Sequence, residues 1–164
     1  MWSRSAAVLL LALAASCGFH LRGVAEVPFA TVYLPGAKSG IQLDLKRNIE
    51  AGTRAKVVDD IKKADAIVAF SDEARDKVIL SLTGTGRVRE FQLRYRVGFR
   101  VHDGKGGVYV PQSVITLTRD VTFNDSDVLA KEAEEQLLFR DMQTDMVQQI
   151  MRRLAAAQKP KAGE

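Results

Sequence analysis

An α+β fold, built as an open, mostly antiparallel four-stranded sheet with two helices packed on one face, is what this sequence predicts. Three observations carry the prediction. Phe91, Leu93, Tyr95, Val97, Phe99 and Val101 alternate with Glu90, Gln92, Arg94, Arg96, Gly98, Arg100 and His102. A period of two over that length means a strand with one buried and one wet face. Phe139, Met142, Met146, Ile150 and Leu154 recur at helical spacing, in a stretch from Asn124 to about Ala157 that holds neither Pro nor Gly. Ile41, Leu45 and Ile49 make a second, earlier apolar stripe. The resulting order is strand, helix, several strands and long helix, for which a sheet with helices on one face is the economical architecture.

Taken in order, residues 27–34 read as a short strand that starts at Pro28 or lies at an edge, and Pro35-Gly36 turns the chain. Ser39 is placed to cap a helix running to about Ala51, with Gly52 in the left-handed position beyond it. Lys56-Val57-Val58 reads as a short extended piece. Ala66 to Phe70 is apolar throughout, and Ser71-Asp72-Glu73 separates it from a second alternating run. That run sets Val78, Leu80 and Leu82 on one face and Lys77, Ile79, Ser81 and Thr83 on the other. Gly84-Thr85-Gly86 punctuates before the strand at Phe91. Asp103 to Gly107 is a hairpin loop with three glycines free to take positive φ. Val108 to Phe123 returns, with Pro111 marking an edge or a bulge. Asn124-Asp125-Ser126-Asp127 opens the long helix, whose early acidic residues and late Arg152 and Arg153 complement its dipole.

The amino terminus has a different design. Residues 1–16 combine Arg4, an apolar Ala6–Ala15 run and small residues at the end, the three-part layout of an export signal. The run is far short of the ~20 residues that span a bilayer. Ala14-Ala15-Ser16-Cys17 resembles a bacterial lipobox, with Ala14 where Leu is more usual. Cys17 is the only cysteine in the chain. It is the expected lipidation site, with a diacylglycerol and an amide-linked acyl chain as the only attached groups, and no other cofactor is implied. Two or more chains give durable anchoring, because each buried methylene contributes about 0.8 kcal/mol. Gly18 in place of Asp favours passage to the outer membrane. Residues 17–157 then form a single domain, with 158–164 a polar tail.

The chain has 164 residues, a net charge of +4 and a pI near 9.3. Such a basic excess suits nucleic acid, anionic lipid or a phosphorylated glycolipid, or is solvated surface. Export argues against nucleic acid, as does the lack of interleaved aromatics on the Arg-bearing face. His20 and His102 are far apart, and neither a metal-ligand cluster nor a nucleophile with an oriented base is visible. No metal site and no enzyme activity are expected. Arg94, Arg96 and Arg100 project from the polar face of one strand, with Arg87 and Arg89 on its approach. Their planar forks match phosphate. Equally, such a row is a wet sheet face with cross-strand pairing to Asp76, Glu90 or Asp120.

Cys17-Gly-Phe-His-Leu-Arg-Gly23 resembles the mature start of the LptE family of LPS-assembly lipoproteins. Leu43–Gly52, Glu90-Phe91-Gln92-Leu93 and Leu129-Ala130-Lys131-Glu132 are similar to that family's first helix, Glu-Tyr-Gln strand and entry to the second helix. The resemblance implies a plug inside an LptD-like outer-membrane β-barrel that supports barrel folding and binds lipopolysaccharide. The domain would then lie on the periplasmic side within the barrel lumen. It also implies Lys131 as a lipopolysaccharide-binding residue. The family's other basic position falls near Gly84, and Arg87 and Arg89 are the nearby candidates to replace it. A different outer-membrane accessory or scaffold lipoprotein, and a periplasmic enzyme, are the competing readings.

Overall fold

The computed structural model describes residues 25–123 and 128–160. The export signal, Cys17, His20-Leu21-Arg22, the Asn124–Asp127 helix start and the last four residues of the polar tail lie outside the described residues. Within them the elements are β1 (Thr31–Tyr33), α1 (Gly40–Gly52), β2 (Lys56–Val58), β3 (Ala66–Leu82), β4 (Val88–His102), β5 (Val108–Thr122) and α2 (Val128–Ala155), with a short 3-10 turn at Ile61–Lys63. The five strands form one sheet in the order β2-β1-β3-β4-β5. The α+β class is as expected, but the sheet has five strands and is mixed. β1 runs parallel to both β2 and β3, and the long strands β3, β4 and β5 are antiparallel. The Lys56–Val58 piece is therefore a full member of the sheet, returned alongside β1 by the α1 crossover.

The core follows from the one-sided chemistry of β4. Leu93, Tyr95, Val97, Phe99 and Val101 are buried, and the intervening arginines are exposed. Met142, Met146, Ile150 and Leu154 of α2 lie on that apolar face, joined by Ile41, Leu45 and Ile49 of α1. All seven of these helix residues have no exposed surface. Polar contacts then fix the layers. Arg119 of β5 meets Asp145 of α2 at 2.6 Å, and Gln148 donates to Asn48 across the two helices at 3.0 Å.

Several local expectations change. Gly52 is the last helical residue and does not have positive φ; Thr53 follows it in extended geometry and returns its amide to the Ile49 carbonyl. The Thr53 hydroxyl accepts from the Ala55 amide and donates to the Ile49 carbonyl, so a side chain supplies the stop that a left-handed glycine would otherwise give. Ser39 is in N-cap geometry, yet its side chain makes no capping bond. Gly40 instead turns the entry with φ of 59°.

The Ser71-Asp72-Glu73 break is not a break. β3 is one 17-residue strand, and the register slips by one residue between Phe70 and Asp72. This is a β-bulge. Gly98 opposite makes it possible: a Cβ there would lie 2.6 Å from Ser71 Oγ. Ser71 Oγ in turn accepts from Gln112 Nε2 of β5 at 2.7 Å, so the bulged residue lies over the glycine and ties β3 to β5. A second irregularity, between Ile79 and Leu82, breaks the single alternation expected for Val78, Leu80 and Leu82. Near Pro111 the pairing moves from Phe99↔Ser113 to Val101↔Val110, so the proline sits at a bulge on an edge strand, where a missing N–H costs no ladder bond.

At the end where β3 begins, Asp65 acts as a latch. Its Oδ2 accepts from the Thr31 hydroxyl (2.9 Å), the Thr31 amide (2.9 Å) and the Ala30 amide (3.2 Å). The Thr31 hydroxyl, aided by its amide, holds the Asp65 carboxyl below the usual carboxylate range. Such a group stabilises the fold fully above its unfolded pKa, and the contribution is lost as pH falls through the folded value.

Two outcomes are expected. Ile150→Ala, which empties a fully buried site, lowers unfolding free energy by about 2–5 kcal/mol in urea titrations. Asp65→Ala costs only about 1 kcal/mol near neutral pH, since the site is solvent-exposed. The gap between that variant and the parent closes as pH falls below the ordinary aspartate range and through the lowered Asp65 value.

Candidate functional site

The three basic residues singled out by sequence come together at one end of the sheet. β3 and β4 are joined by the turn Thr83–Arg87, in which the Thr83 amide donates to the Arg87 carbonyl at 2.7 Å and the Arg87 amide donates to Thr83 Oγ1 at 3.1 Å. Gly86 supplies the positive φ, 80°, that closes it. Arg89, one step into β4, accepts the Phe123 amide at 2.8 Å through its carbonyl. Glu90 pairs in register with Thr122. Lys131, on the first turn of α2, reaches Thr122 Oγ1 at 3.5 Å. Arg87, Arg89 and Lys131 thus surround the same corner. The Gly84 position faces open space.

The corner is not uniformly basic. Lys131 is paired with Glu134 at 2.8 Å and has a side chain only 22% exposed. Glu90 accepts from Ser81 at 2.6 Å. One row inward, Lys77 pairs with Glu135 at 2.6 Å and lies over the Phe91 ring at 4.4 Å. Phe91 in turn meets Phe123 edge-on at 5.2 Å. This row closes the space between sheet and helix. In the hairpin beyond it the charges are Arg87, Arg89 and the Ser81-bound Glu90.

The polar face of β4 is the second feature. Arg96 pairs with Asp72 at 3.0 Å, and Gln92 donates to Asp120 at 3.0 Å. Asp120 is therefore engaged by a glutamine, Glu90 by a serine, and the bulge brings Asp72 to Arg96. Asp76 is level with Arg94 in the register. Cross-strand pairing accounts for one arginine of this row, through a carboxylate that only the bulge places there.

On the opposite, helix-bearing face the polar groups are structural. Tyr95 donates to Glu73 at 2.7 Å, and the Arg75 guanidinium lies 4.8 Å from the Tyr95 ring. Burial, reinforced by the acceptor Glu73, pushes the Tyr95 hydroxyl far above the usual phenol range. Arg75 donates to Gln143, which donates to Asp44, so one chain of hydrogen bonds joins sheet, α2 and α1. His102 accepts the Gly104 amide at 3.1 Å, and Asp103 accepts the Lys105 and Gly107 amides at 2.7 and 2.8 Å. That pair shapes the β4–β5 turn. Among the described residues, no group of three His, Cys, Asp or Glu side chains is placed to hold a metal ion.

A cleft of about 560 Å³ opens at the far end, lined by Glu26, Phe29, Arg54, Asp65, Tyr109 and Lys159 among others. Phe29 and Tyr109 meet edge-on in its wall, 5.5 Å between centroids. Its two acids and two bases offset each other. Sequence reasoning missed it because its lining comes from five separate segments.

Comparison with known proteins fits this geometry. The sequence profile of the LptE family, lipopolysaccharide-assembly, matches residues 21–154. The chain is 30% identical to the LPS-assembly lipoprotein LptE of Photorhabdus laumondii, over 95% of this chain and 90% of that protein. It is 32% identical to the LptE of Pectobacterium atrosepticum, over 89% and 80%. The solution NMR structure of an uncharacterized lipoprotein B from Nitrosomonas europaea superposes with a TM-score of 0.73 at 47% identity, covering 85% of this chain and 91% of that one. The crystal structure of the rare lipoprotein B of Shewanella oneidensis shares the fold at a TM-score of 0.66 and 23% identity, covering 77% and 94%. An α+β layer of two helices on a sheet, matched along nearly all of its length by these relatives, places the chain in the LptE family of lipopolysaccharide-assembly proteins.

Proposed function

We propose that this protein is an outer-membrane lipoprotein, anchored through an acylated Cys17, that plugs an LptD-like β-barrel, assists its assembly and binds lipopolysaccharide during insertion into the outer leaflet. Family membership across residues 21–154 carries the reading. The sheet supports it: one face is buried under helices, and the other presents Gln92, Arg94, Arg96 and Arg100 to its surroundings. A domain of this kind suits a barrel lumen, whose inner wall is polar. Arg87, Arg89 and Lys131 at the hairpin corner are the proposed contacts to lipid A and core phosphates, through charge-assisted hydrogen bonds. Lys131 would exchange its Glu134 partner for phosphate, since a pair at i,i+3 spacing on an exposed helix contributes only a few tenths of a kcal/mol.

The reading is tested on the intact lipoprotein. Extraction in mild detergent is expected to bring down a large β-barrel, and mass spectrometry to find the amino-terminal peptide beginning at Cys17 with its acyl chains. Recovery without a barrel favours an unrelated accessory lipoprotein. Combining Lys131→Asp with Arg87→Asp is expected to weaken lipopolysaccharide binding by roughly tenfold or more, as loss of one or two charged contacts requires. Far-UV dichroism should stay unchanged, and undiminished binding would remove these residues from the site.

A further inference from the structure

The β3–β4 hairpin carries more apolar surface than a strand pair inside a folded domain needs. Val78, Ile79, Leu80 and Leu82 are 37%, 58%, 47% and 54% exposed. They do not share one face. Ile79 pairs with Phe91, whose side belongs to the helix-bearing face, and Val78 pairs with Gln92 on the polar face. Ile79 remains more than half exposed on the covered side, so helical cover has ended by that row. In that same row Phe91 meets Phe123, and further inward Lys77 pairs with Glu135; these contacts close the domain. Beyond it Leu80 and Leu82 also stand exposed; the charges there are Arg87, Arg89 and Glu90, whose carboxylate is held by the Ser81 hydroxyl.

The polar inner wall of a barrel does not match exposed Val, Ile and Leu side chains. A medium that wraps both sides, and that is anionic near its boundary, matches this surface better. We infer that the Val78–Leu82 segment inserts among the acyl chains of a phosphorylated glycolipid while Arg87 and Arg89 meet its phosphates. The proposal rests on the lipopolysaccharide-binding reading and extends it from the headgroup to the chains. In this arrangement apolar burial supplies affinity that charge alone does not.

The test uses the full-length lipoprotein in mild detergent, with two probes: intact lipopolysaccharide, and the same glycan stripped of its acyl chains but retaining its phosphates. Ile79→Thr, Leu80→Thr and Leu82→Thr are combined, since threonine keeps strand propensity at exposed positions. The variant is expected to bind the stripped glycan as the parent does and intact lipopolysaccharide at least about tenfold more weakly. Hydrogen exchange on the parent provides a measurement that does not depend on the variant folding. Intact lipopolysaccharide should protect amides across residues 78–89, and the stripped glycan should protect them less. Equal binding of intact lipopolysaccharide by parent and variant, or protection that leaves residues 78–82 untouched, overturns the inference alone. A parent that binds neither probe overturns the lipopolysaccharide reading beneath it. A parent that self-associates without lipid, and becomes monomeric in the triple variant, also overturns the inference by covering the hairpin with protein.

Discussion

Burial of a single face of β4 is the constraint on which the domain depends. Five consecutive inward positions, Leu93 to Val101, are fully or nearly fully removed from water. Each large side chain among them gains about 1.5–3 kcal/mol from that transfer. Because the period of a strand is two, this commitment fixes which way every arginine of β4 must point. It also fixes where α2 can lie, since the Met142–Leu154 stripe has no other apolar surface of matching length. The polar contacts at the margins, Arg119 with Asp145 and Gln143 with Arg75 and Asp44, then select one rotation of the helix on the sheet.

The bulge at Ser71 shows how one glycine keeps two long strands paired. Without the extra residue, the polar face of β3 would be out of step with β4, and Asp72 would not reach Arg96. A side chain at position 98 would collide with Ser71. A strand that is apolar at its start and charged through its middle can thereby remain one strand. Its first part joins the buried core beside β1, and its later part carries charge along the margin of α2.

Most of this was legible in the sequence wherever a period was sustained. The β4 alternation, the α1 and α2 stripes and the Asp103–Gly107 turn needed only spacing and composition. The two short strands were read as extended pieces, but their parallel pairing was not legible, because three residues carry no period and pairing with β2 depends on where the α1 crossover lands. The Ser71–Glu73 segment looked like a loop because its residues are polar, yet strand continuity there is decided by the partner strand. Gly52 looked like a helix stop because of its identity, but the Thr53 hydroxyl performs the task. For the site, family resemblance singled out Lys131, Arg87 and Arg89, and only folding showed that they share a corner. The apolar hairpin was visible as letters, Val-Ile-Leu, but its exposure follows from how far the helices cover the sheet, and no local pattern reports that.

The entrance of the chain and the hairpin lie at opposite ends of β3. Ala25 pairs with Thr53 beside the cleft that Lys159 also lines, so both ends of the described fold sit where β3 begins. Seventeen strand residues separate that level from Leu82. At roughly 3.3 Å per residue the separation is about 50 Å. The hydrocarbon layer of a bilayer is only about 30 Å thick. The long strand is therefore a rigid spacer. Its length alone exceeds the thickness of that layer, with no hinge required.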